Sequence, residues 1–367
     1  NSLIPAISYG PDGEGRPNSV SAGTGQNPIT STTYNPAGQV TGVTYGSLDA
    51  DTFGFDPSTG RATGYQFNVN GKTVSGSLTW NPNGSLGALS ITDPLNAANT
   101  QACSYSHDDL GRAASVNCSG TSPWSQSFSY DAFGNINKSG SSSFGASYSA
   151  STNQISAGIP NVAYDTNGNM TSILTDISHS YSWDADGNQI WADGVSITYD
   201  ALDRAVEQSR SSTYTQIVYV SGTSKLALVS GGTLQKAFVP LPSGAVAVYN
   251  SSGLAYYRHP DWLGSSRMAT TPMRTLYYST AYAPFGEAET FIETGTTDRS
   301  FTGLNQDTNN SQYDFLYRSY SPVQGRWLSP DPAGLGVARP NNPQTWNRYA
   351  YVGNKPLQTV DSLGLGN

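Results

Sequence analysis

The sequence predicts an all-β protein built from a long series of antiparallel hairpins. Its composition is the first reason, because Gly 39, Pro 21 and Tyr 23 with only 12% charged residues are typical of short strands joined by tight turns. The second reason is that no window shows a sustained apolar period of 3.6 residues, so few and short helices are expected. The third is a turn motif that recurs along the chain. Such an array accommodates all 367 residues in one continuous body.

The recurring motif is an aromatic residue, Asp or Asn, two variable residues and Gly, usually followed by Arg, Asn or Gln. Tyr130-Asp131-Ala-Phe-Gly134-Asn135 is a typical copy. Eight copies, at spacings of 16 to 34 residues, begin at Tyr34, Phe55, Trp80, His107, Tyr130, Tyr164, Trp183 and Tyr199.

Each copy predicts a hairpin turn. The aromatic residue ends one strand and packs inward, the Asp or Asn side chain accepts a hydrogen bond from the N–H two residues on, and Gly takes the positive φ. One carboxylate per turn, without an Asp-x-Asp-x-Asp-Gly cluster, favours turn capping over calcium binding. Stacked hairpins then form a continuous sheet, wound as a spiral so that few strand edges stay exposed.

Charge and composition argue against several classes of partner. A net charge of −8 with only 18 Lys and Arg residues gives no basic patch for nucleic acid or an anionic membrane. No run of 18 apolar residues is present, so no transmembrane segment is expected. Three His and two Cys, well separated, predict no metal site, and no phosphate-binding loop or cofactor motif is present.

The two cysteines, Cys103 and Cys118, flank a turn at 108–111 symmetrically. A hairpin centred on this turn would place the two thiols opposite each other, and the secreted type of composition favours a disulfide between them. Two buried thiols are the alternative. Asn1 is not a natural start, which predicts a processed or recombinant fragment with any export signal upstream.

The last third of the chain contains sequence segments that differ from the repeat motif. Gly325-Arg326-Trp327-Leu-Ser-Pro-Asp331-Pro is one segment, and Asn347-Arg348-Tyr-Ala-Tyr-Val-Gly-Asn-Lys-Pro is another. Together with the aromatic-Asp-x-x-Gly repeats, these segments resemble the Rhs family of YD-repeat proteins, which includes toxin-complex C subunits and teneurins. The resemblance covers roughly residues 30 to 366.

The resemblance implies a hollow YD shell, or cocoon, that encloses a polypeptide and is plugged at one end by the C-terminal core domain. It also implies a β-shell wall over 31–255 and an Rhs core domain over 256–367. The preceding N-terminal segment, 1–30, is rich in Gly, Pro and Asn, and this composition predicts poor order there.

The end of the chain resembles the self-cleavage motif of the family, Pro-x4-Asp-Pro-x-Gly-Leu, with Ser362 in place of the second Pro. By this resemblance Asp331 and Asp361 are the catalytic carboxylates, Arg326 is a polar support, and the cut falls between Leu365 and Gly366. Two carboxylates held close together share a proton, so that one activates water while the other polarises the carbonyl. Tethering the scissile bond to the same chain lets a weak site turn over once.

Two functional hypotheses follow. The first is a secreted bacterial shell that encloses a polypeptide, either its own C-terminal segment or a toxin-type cargo, with aspartic self-cleavage. The second is a non-catalytic cell-surface shell of teneurin type that binds a receptor or a glycan. Because Asp-Pro-x-Gly is also a plain turn signal, the sequence leaves open whether the cut occurs.

His259, Asp261 and one of Ser265 or Ser266 supply the residue types of a Ser-His-Asp triad. These residues crowd into one turn, whereas triad partners usually converge from separate segments. A hydrogen-bonded core turn is therefore expected at this position.

Overall fold

A computed structural model of the chain describes residues 4–365 except 24, 221–223, 294–299 and 306–311. Within these residues the regular structure consists of β-strands and five short 3-10 helices, with no α-helix. The predicted all-β fold of antiparallel hairpins is confirmed. The 3-10 helices are Ala97–Asn99, Pro242–Gly244, Gly334–Val337, Pro343–Trp346 and Val352–Asn354.

The first large sheet has 12 strands, and each pairs with the next strand along the chain. These are β1 (Ile7–Pro11), β2 (Pro17–Ala22), β3 (Ile29–Tyr34), β4 (Val40–Tyr45), β5 (Ala50–Phe55), β6 (Ala62–Val69), β7 (Lys72–Trp80), β8 (Leu86–Thr92), β9 (Gln101–His107), β10 (Ala113–Gly120), β11 (Trp124–Tyr130) and β12 (Ile136–Gly140). Within the N-terminal segment, β1 pairs with β2 in this sheet.

A two-stranded hairpin of β13 (Ser147–Tyr148) and β14 (Ile155–Ala157) leads to a second large sheet of 14 strands, again paired in chain order. These are β15 (Ala163–Tyr164), β16 (Met170–Leu174), β17 (Ser178–Trp183), β18 (Gln189–Ala192), β19 (Val195–Tyr199), β20 (Ala205–Arg210), β21 (Thr213–Tyr219), β22 (Lys225–Ser230), β23 (Thr233–Pro240), β24 (Val246–Asn250), β25 (Gly253–Pro260), β26 (Ser266–Thr270), β27 (Leu276–Tyr282) and β28 (Ala288–Glu293). β25 crosses the boundary proposed between residues 255 and 256, so the sheet continues into the proposed core domain.

The C-terminal block has only short strands. These are β29 (Ser300–Phe301), β30 (Leu304–Asn305), β31 (Tyr313–Asp314), β32 (Ser319–Ser321) and β33 (Arg326–Trp327). Its interior is a cluster of buried aromatic rings, chiefly Phe301, Tyr313, Phe315, Tyr320, Trp327 and Tyr351. Large aromatic side chains supply much buried area per residue, which lets a block with little regular structure hold a fixed shape.

The C-terminal block lies against turns of the repeats. Tyr349 Oη donates to the Gly168 carbonyl at 2.7 Å, and Asn354 Nδ2 donates to the Gly134 carbonyl at 2.8 Å. The Met170 N–H also donates to the Leu328 carbonyl at 2.9 Å. Two repeat turns, from the first and the second sheet, are therefore tied to the same C-terminal block.

The repeat turns have the predicted capping geometry. Asp131 Oδ1 accepts hydrogen bonds from the N–H groups of Phe133 and Asn135, both at 2.9 Å, while Asp131 Oδ2 accepts from Asn135 Nδ2 at 2.8 Å. Gly134 has a φ of 75°, the left-handed conformation that favours glycine. The same pattern of two backbone N–H groups on Oδ1 recurs in the Asp12 and Asp261 turns, which lie outside the eight motif copies.

Seven aromatic residues each link one hairpin to the preceding turn, five of them from the motif copies and two, Tyr148 and Tyr219, outside those copies. Their rings are half-buried. The Tyr hydroxyl or Trp indole N–H of each ring donates to a backbone carbonyl at 2.5 to 3.2 Å. The residue that carries this carbonyl lies two positions after the Gly, or Asp203, of the preceding turn. We call this series the aromatic ladder, and its donor–acceptor pairs are Tyr34–Pro17, Trp80–Ala62, Tyr130–Ala113, Tyr148–Ile136, Trp183–Met170, Tyr199–Gln189 and Tyr219–Ala205.

A disulfide joins Cys103 of β9 to Cys118 of β10. The two residues are direct partners in the antiparallel register, on either side of the turn at 108–111. The bond therefore reinforces one hairpin of the first sheet.

Buried polar contacts hold the two large sheets together. His259 of β25 lies with Nδ1 2.9 Å from the Asp51 carboxylate of β5 and Nε2 2.8 Å from Thr270 Oγ1. Lys138 Nζ of β12 lies 2.6 Å from Glu287 Oε1, just before β28. Asp261 caps its own turn, so the hydrogen-bonded core turn expected in place of a triad is confirmed.

Candidate functional site

The structure brings Asp331 and Asp361 to one cation. Nη2 of Arg318 lies 3.1 Å from Asp331 Oδ2 and 3.3 Å from Asp361 Oδ2. All three side chains are buried. Because both carboxylates contact the same nitrogen, the predicted pair is a triad of two acids and a guanidinium.

Arg318 is fixed from several sides. It lies in the turn just before β32, and its guanidinium carbon stands 4.1 Å from the centre of the Trp327 ring. Its Nη1 donates to the Arg348 carbonyl at 3.2 Å, and its Nε donates to the Gly364 carbonyl. Burial lowers the pKa of Arg318 to about 10, against the opposing effect of the two carboxylates, so the guanidinium stays protonated at neutral pH.

The chain wraps around the Asp361 carboxylate. Oδ1 accepts hydrogen bonds from the N–H groups of Leu363 at 3.2 Å, Gly364 at 2.8 Å and Leu365 at 3.1 Å. Gly364 has a φ of 78°, and a Cβ there would lie 3.1 Å from Phe315 Cβ. Glycine at this position therefore allows the segment to close over Arg318.

Asp331 is held by a second turn. Its Oδ1 accepts from the Ala333 N–H at 2.9 Å, and its own N–H donates to the Arg348 carbonyl at 3.0 Å. Arg348 Nη2 returns a hydrogen bond to the Asp331 carbonyl at 2.6 Å. Arg348 thus braces the backbone that carries Asp331.

The other predicted site residues lie differently. Arg326 is buried, but its Nη2 donates to the Asn153 carbonyl at 2.6 Å, and its guanidinium carbon stands 4.8 Å from the ring centres of Tyr148 and Tyr349. It therefore joins the C-terminal block to the wall rather than supporting the two carboxylates. Leu365 is 39% exposed, and Gly366 lies outside the described residues.

Sequence reasoning missed Arg318, which contacts both acids, and Arg348, which braces Asp331. A usable signal existed, because Arg and Lys total only 18 in the chain and both arginines lie in its last third. A cation in a block of buried aromatic residues needs an acidic partner.

The positive guanidinium of Arg318 contacts both carboxylates and offsets the repulsion between them.

A cavity of about 420 Å³ adjoins the Asp361 turn. Ser362 and Leu363 line it together with Tyr199, Phe238 and Phe315. The predicted cleavage segment therefore faces a space between the wall and the C-terminal block.

No helix among the described residues is long and apolar enough to cross a membrane. No group of three or more His, Cys, Asp or Glu side chains in the described part of the chain is arranged to hold a metal ion.

Relatives with known names share parts of this sequence. The tRNA3(Ser)-specific nuclease WapA of Bacillus spizizenii is 25% identical over 258 residues, 65% of this chain and 11% of that protein. Toxin subunit YenC1 of Yersinia entomophaga is 23% identical over 201 residues, 47% of this chain and 20% of that protein. Toxin protein Tse5 of Pseudomonas aeruginosa is 29% identical over 136 residues, 36% of this chain and 10% of that protein. The chain thus matches only a small part of each relative.

Solved structures share the fold over nearly the whole chain. The crystal structure of TcdB2-TccC3-Cdc42 superposes with a TM-score of 0.70 at 17% identity, covering 98% of this chain and 20% of that one. The Photorhabdus luminescens Tc holotoxin pore superposes with a TM-score of 0.69, also at 17% identity and with the same coverage.

The model of the teneurin YD-shell family matches residues 58–357. This match spans the later repeats of the first sheet, the whole second sheet and most of the C-terminal block. The chain therefore belongs to the teneurin YD-shell family.

Proposed function

We propose that this chain is the wall and plug of a secreted bacterial shell that encloses a polypeptide and cuts its own chain between Leu365 and Gly366. One observation carries the proposal: Arg318 joins Asp331 and Asp361, while the residues just before the predicted cut wrap around Asp361. The toxin names of YenC1 and Tse5 are consistent with an enclosed toxin-type cargo.

The three side chains have separate tasks in this reaction. Asp361 accepts hydrogen bonds from the N–H groups of residues 363–365 and so positions the carbonyl group of Leu365 for attack. Asp331 takes a proton from a water molecule, whose oxygen attacks the carbonyl carbon of Leu365. The bond to Gly366 then breaks, and the proton passes to the departing amine of Gly366. Arg318 stabilises the negative charge that develops on the attacked carbonyl oxygen.

The test uses the chain extended after Asn367 by a reporter peptide, followed by intact-mass spectrometry. We expect a cut between Leu365 and Gly366 in the unmodified sequence and none in Asp331→Asn or Asp361→Asn. Asp165→Asn is the matched control, because Asp165 caps a wall turn through two backbone N–H groups and contacts Asn169 with its other oxygen. This control variant should cut normally.

Two outcomes would contradict self-cleavage. An uncut chain would favour the non-catalytic shell that binds a receptor or glycan. A cut that persists in both site variants would show that another protease makes it. Gel filtration of the cut sample adds a test of enclosure, because an enclosed reporter elutes with the shell.

A further inference from the structure

A lysine, a glutamine and a glutamate meet in the core beneath the last hairpin of the first sheet. Oε1 of Glu287 lies 2.6 Å from Lys138 Nζ and 3.3 Å from Gln126 Nε2. One carboxylate oxygen thus contacts both an amine and a carboxamide. We propose that Glu287 catalyses the formation of an amide bond between Nζ of Lys138 and Cδ of Gln126, with loss of ammonia.

The strand register brings Gln126 and Lys138 within reach of each other. β11 and β12 are antiparallel, and Phe128 lies directly opposite Lys138. Gln126 stands two residues before Phe128 and is buried on the same face of β11. It is therefore the diagonal neighbour of Lys138, and diagonal neighbours, about 7–8 Å apart, are close enough for long side chains to touch.

The reaction needs an uncharged amine in a dry site, and burial favours both. Gln126 is 1% exposed and Lys138 is 4% exposed. The Phe285 ring centre lies 5.0 Å from Lys138 Nζ. Burial lowers the pKa of Lys138, against the opposing attraction of Glu287. The uncharged amine is the form that acts as a nucleophile.

The atoms of the reaction balance without any added reactant. Glu287 takes one proton from the Lys138 ammonium group, and the lone pair of Nζ then attacks Cδ of Gln126. A second proton passes from Nζ to Nε2, the bond between Cδ and Nε2 breaks, and ammonia leaves. Glu287 keeps the first proton, so uncharged groups replace a buried ion pair, whose desolvation is costly.

The carboxamide oxygen of Gln126 also fits this role. It is buried, and no group in the described part of the chain donates a hydrogen bond to it. A half-turn of the carboxamide exchanges its nitrogen and oxygen and places the oxygen against Glu287. The protonated Glu287 then donates to that oxygen and makes Cδ more electrophilic. Because the fold holds all three groups together, the attack has a high effective molarity.

The amide bond would reinforce the hairpin that follows the disulfide-linked one. The disulfide joins β9 to β10, and the amide would join β11 to β12. Because Glu287 comes from the second sheet, the bond can form only after the two large sheets have met. The reaction uses none of the residues assigned to self-cleavage, so either proposal can fail without the other.

Intact-mass spectrometry of the whole chain tests the inference. After reduction of the disulfide, we expect the folded chain to be lighter than its sequence mass by one ammonia molecule. A chain isolated in urea from inclusion bodies should have the full mass and lose the ammonia only on refolding. Chymotrypsin cuts after Phe128 and Tyr130, so a digest of the folded product should contain one branched peptide that joins residue 126 to residue 138.

Variants separate the roles of the three groups. Gln126→Met keeps the ion pair and removes the carboxamide, while Lys138→Arg keeps a cation and removes the amine, so neither should lose ammonia. Glu287→Gln keeps the shape without the proton relay, and its loss of ammonia should be about 100-fold slower or more. Gln216→Met is the matched control, because Gln216 also donates to a glutamate, Glu207. This control should lose ammonia like the unmodified chain.

A folded chain of full mass, with a cooperative melting transition, would overturn the inference. So would an ammonia loss that persists in Gln126→Met, because it would then arise elsewhere, for example as a succinimide at Asn70-Gly71. Mild alkali opens a succinimide and leaves an amide intact, which distinguishes the two products. The branched peptide comes from the unmodified chain, so this result does not depend on the folding of any variant.

Discussion

Several Asp carboxylates in this protein use one oxygen to cap backbone N–H groups and the other to contact a side chain. In the wall turn of Asp131, Oδ1 caps backbone N–H groups and Oδ2 contacts Asn135, four residues on. Asp331 and Asp361 cap their own turns in the same way, but Oδ2 of each contacts Arg318 from a distant part of the chain. The candidate site is therefore a pair of turn caps joined by one long-range cation.

Removing that cation should cost much stability. In Arg318→Met two buried carboxylates lose their partner, and we expect the free energy of unfolding to fall by about 3–5 kcal/mol, measured by urea denaturation at pH 7.5. Arg204→Met removes only the partly exposed cation of one wall turn and should change stability far less. Equal losses in both variants would show that Arg318 is not a buried structural charge.

At seven steps of the wall, neighbouring hairpins are linked by more than the hydrogen bonds between strands. The aromatic ladder adds one side-chain hydrogen bond per step, and in four of the turns an Arg side chain lies over the aromatic ring that follows. The motif residue after Gly and the aromatic residue of the next strand therefore act together across the repeat boundary.

The ladder bond is testable at Tyr130, whose hydroxyl donates to the Ala113 carbonyl at 2.6 Å. Tyr130→Phe keeps the ring and removes the donor, so we expect a loss of about 1 kcal/mol in the free energy of unfolding. Tyr214→Phe is the matched control, because Tyr214 is exposed and outside the ladder. An equal loss of stability in Tyr214→Phe and Tyr130→Phe would show that the ladder hydrogen bond does not stabilise the repeat.

The turns could be predicted from sequence because all their determinants are local. Asp131, Gly134 and Asn135 lie within five residues, and turn chemistry specifies what each does. The acceptor of Tyr130 and the cation between Asp331 and Asp361 could not be predicted, since each depends on segments that meet only in the folded chain. Family resemblance named the two acids and Arg326, and the structure places Arg318 between the acids and Arg326 beside Asn153.

On the scale of the whole molecule, the two large sheets meet through buried ion pairs. Lys138 belongs to the last strand of the first sheet, and Glu287 precedes the last strand of the second. Neither residue is near the other in sequence, so hairpin patterns could not predict this contact. The predicted closed container depends on such joints.

A double-mutant cycle measures this joint. Lys138→Met leaves Glu287 as an unpaired buried charge, and Glu287→Leu does the same to Lys138, so each should lower the free energy of unfolding by about 3–5 kcal/mol. The double variant replaces the pair with apolar groups and should lose much less than the two single variants together. Additive losses in a thermal or urea denaturation series would show that the pair does not act as a unit.

The order of the strands has a consequence for how the chain acquires its structure. In both large sheets, every strand after the first pairs with the strand that precedes it in the chain. Each newly synthesised strand can therefore pair with a strand that already exists. Contacts between near neighbours form quickly, because little chain entropy is lost in closing short loops. The wall can therefore be laid down from the N-terminus as the polypeptide emerges from the ribosome. The C-terminal block, which needs turns from both sheets, is the last part to dock.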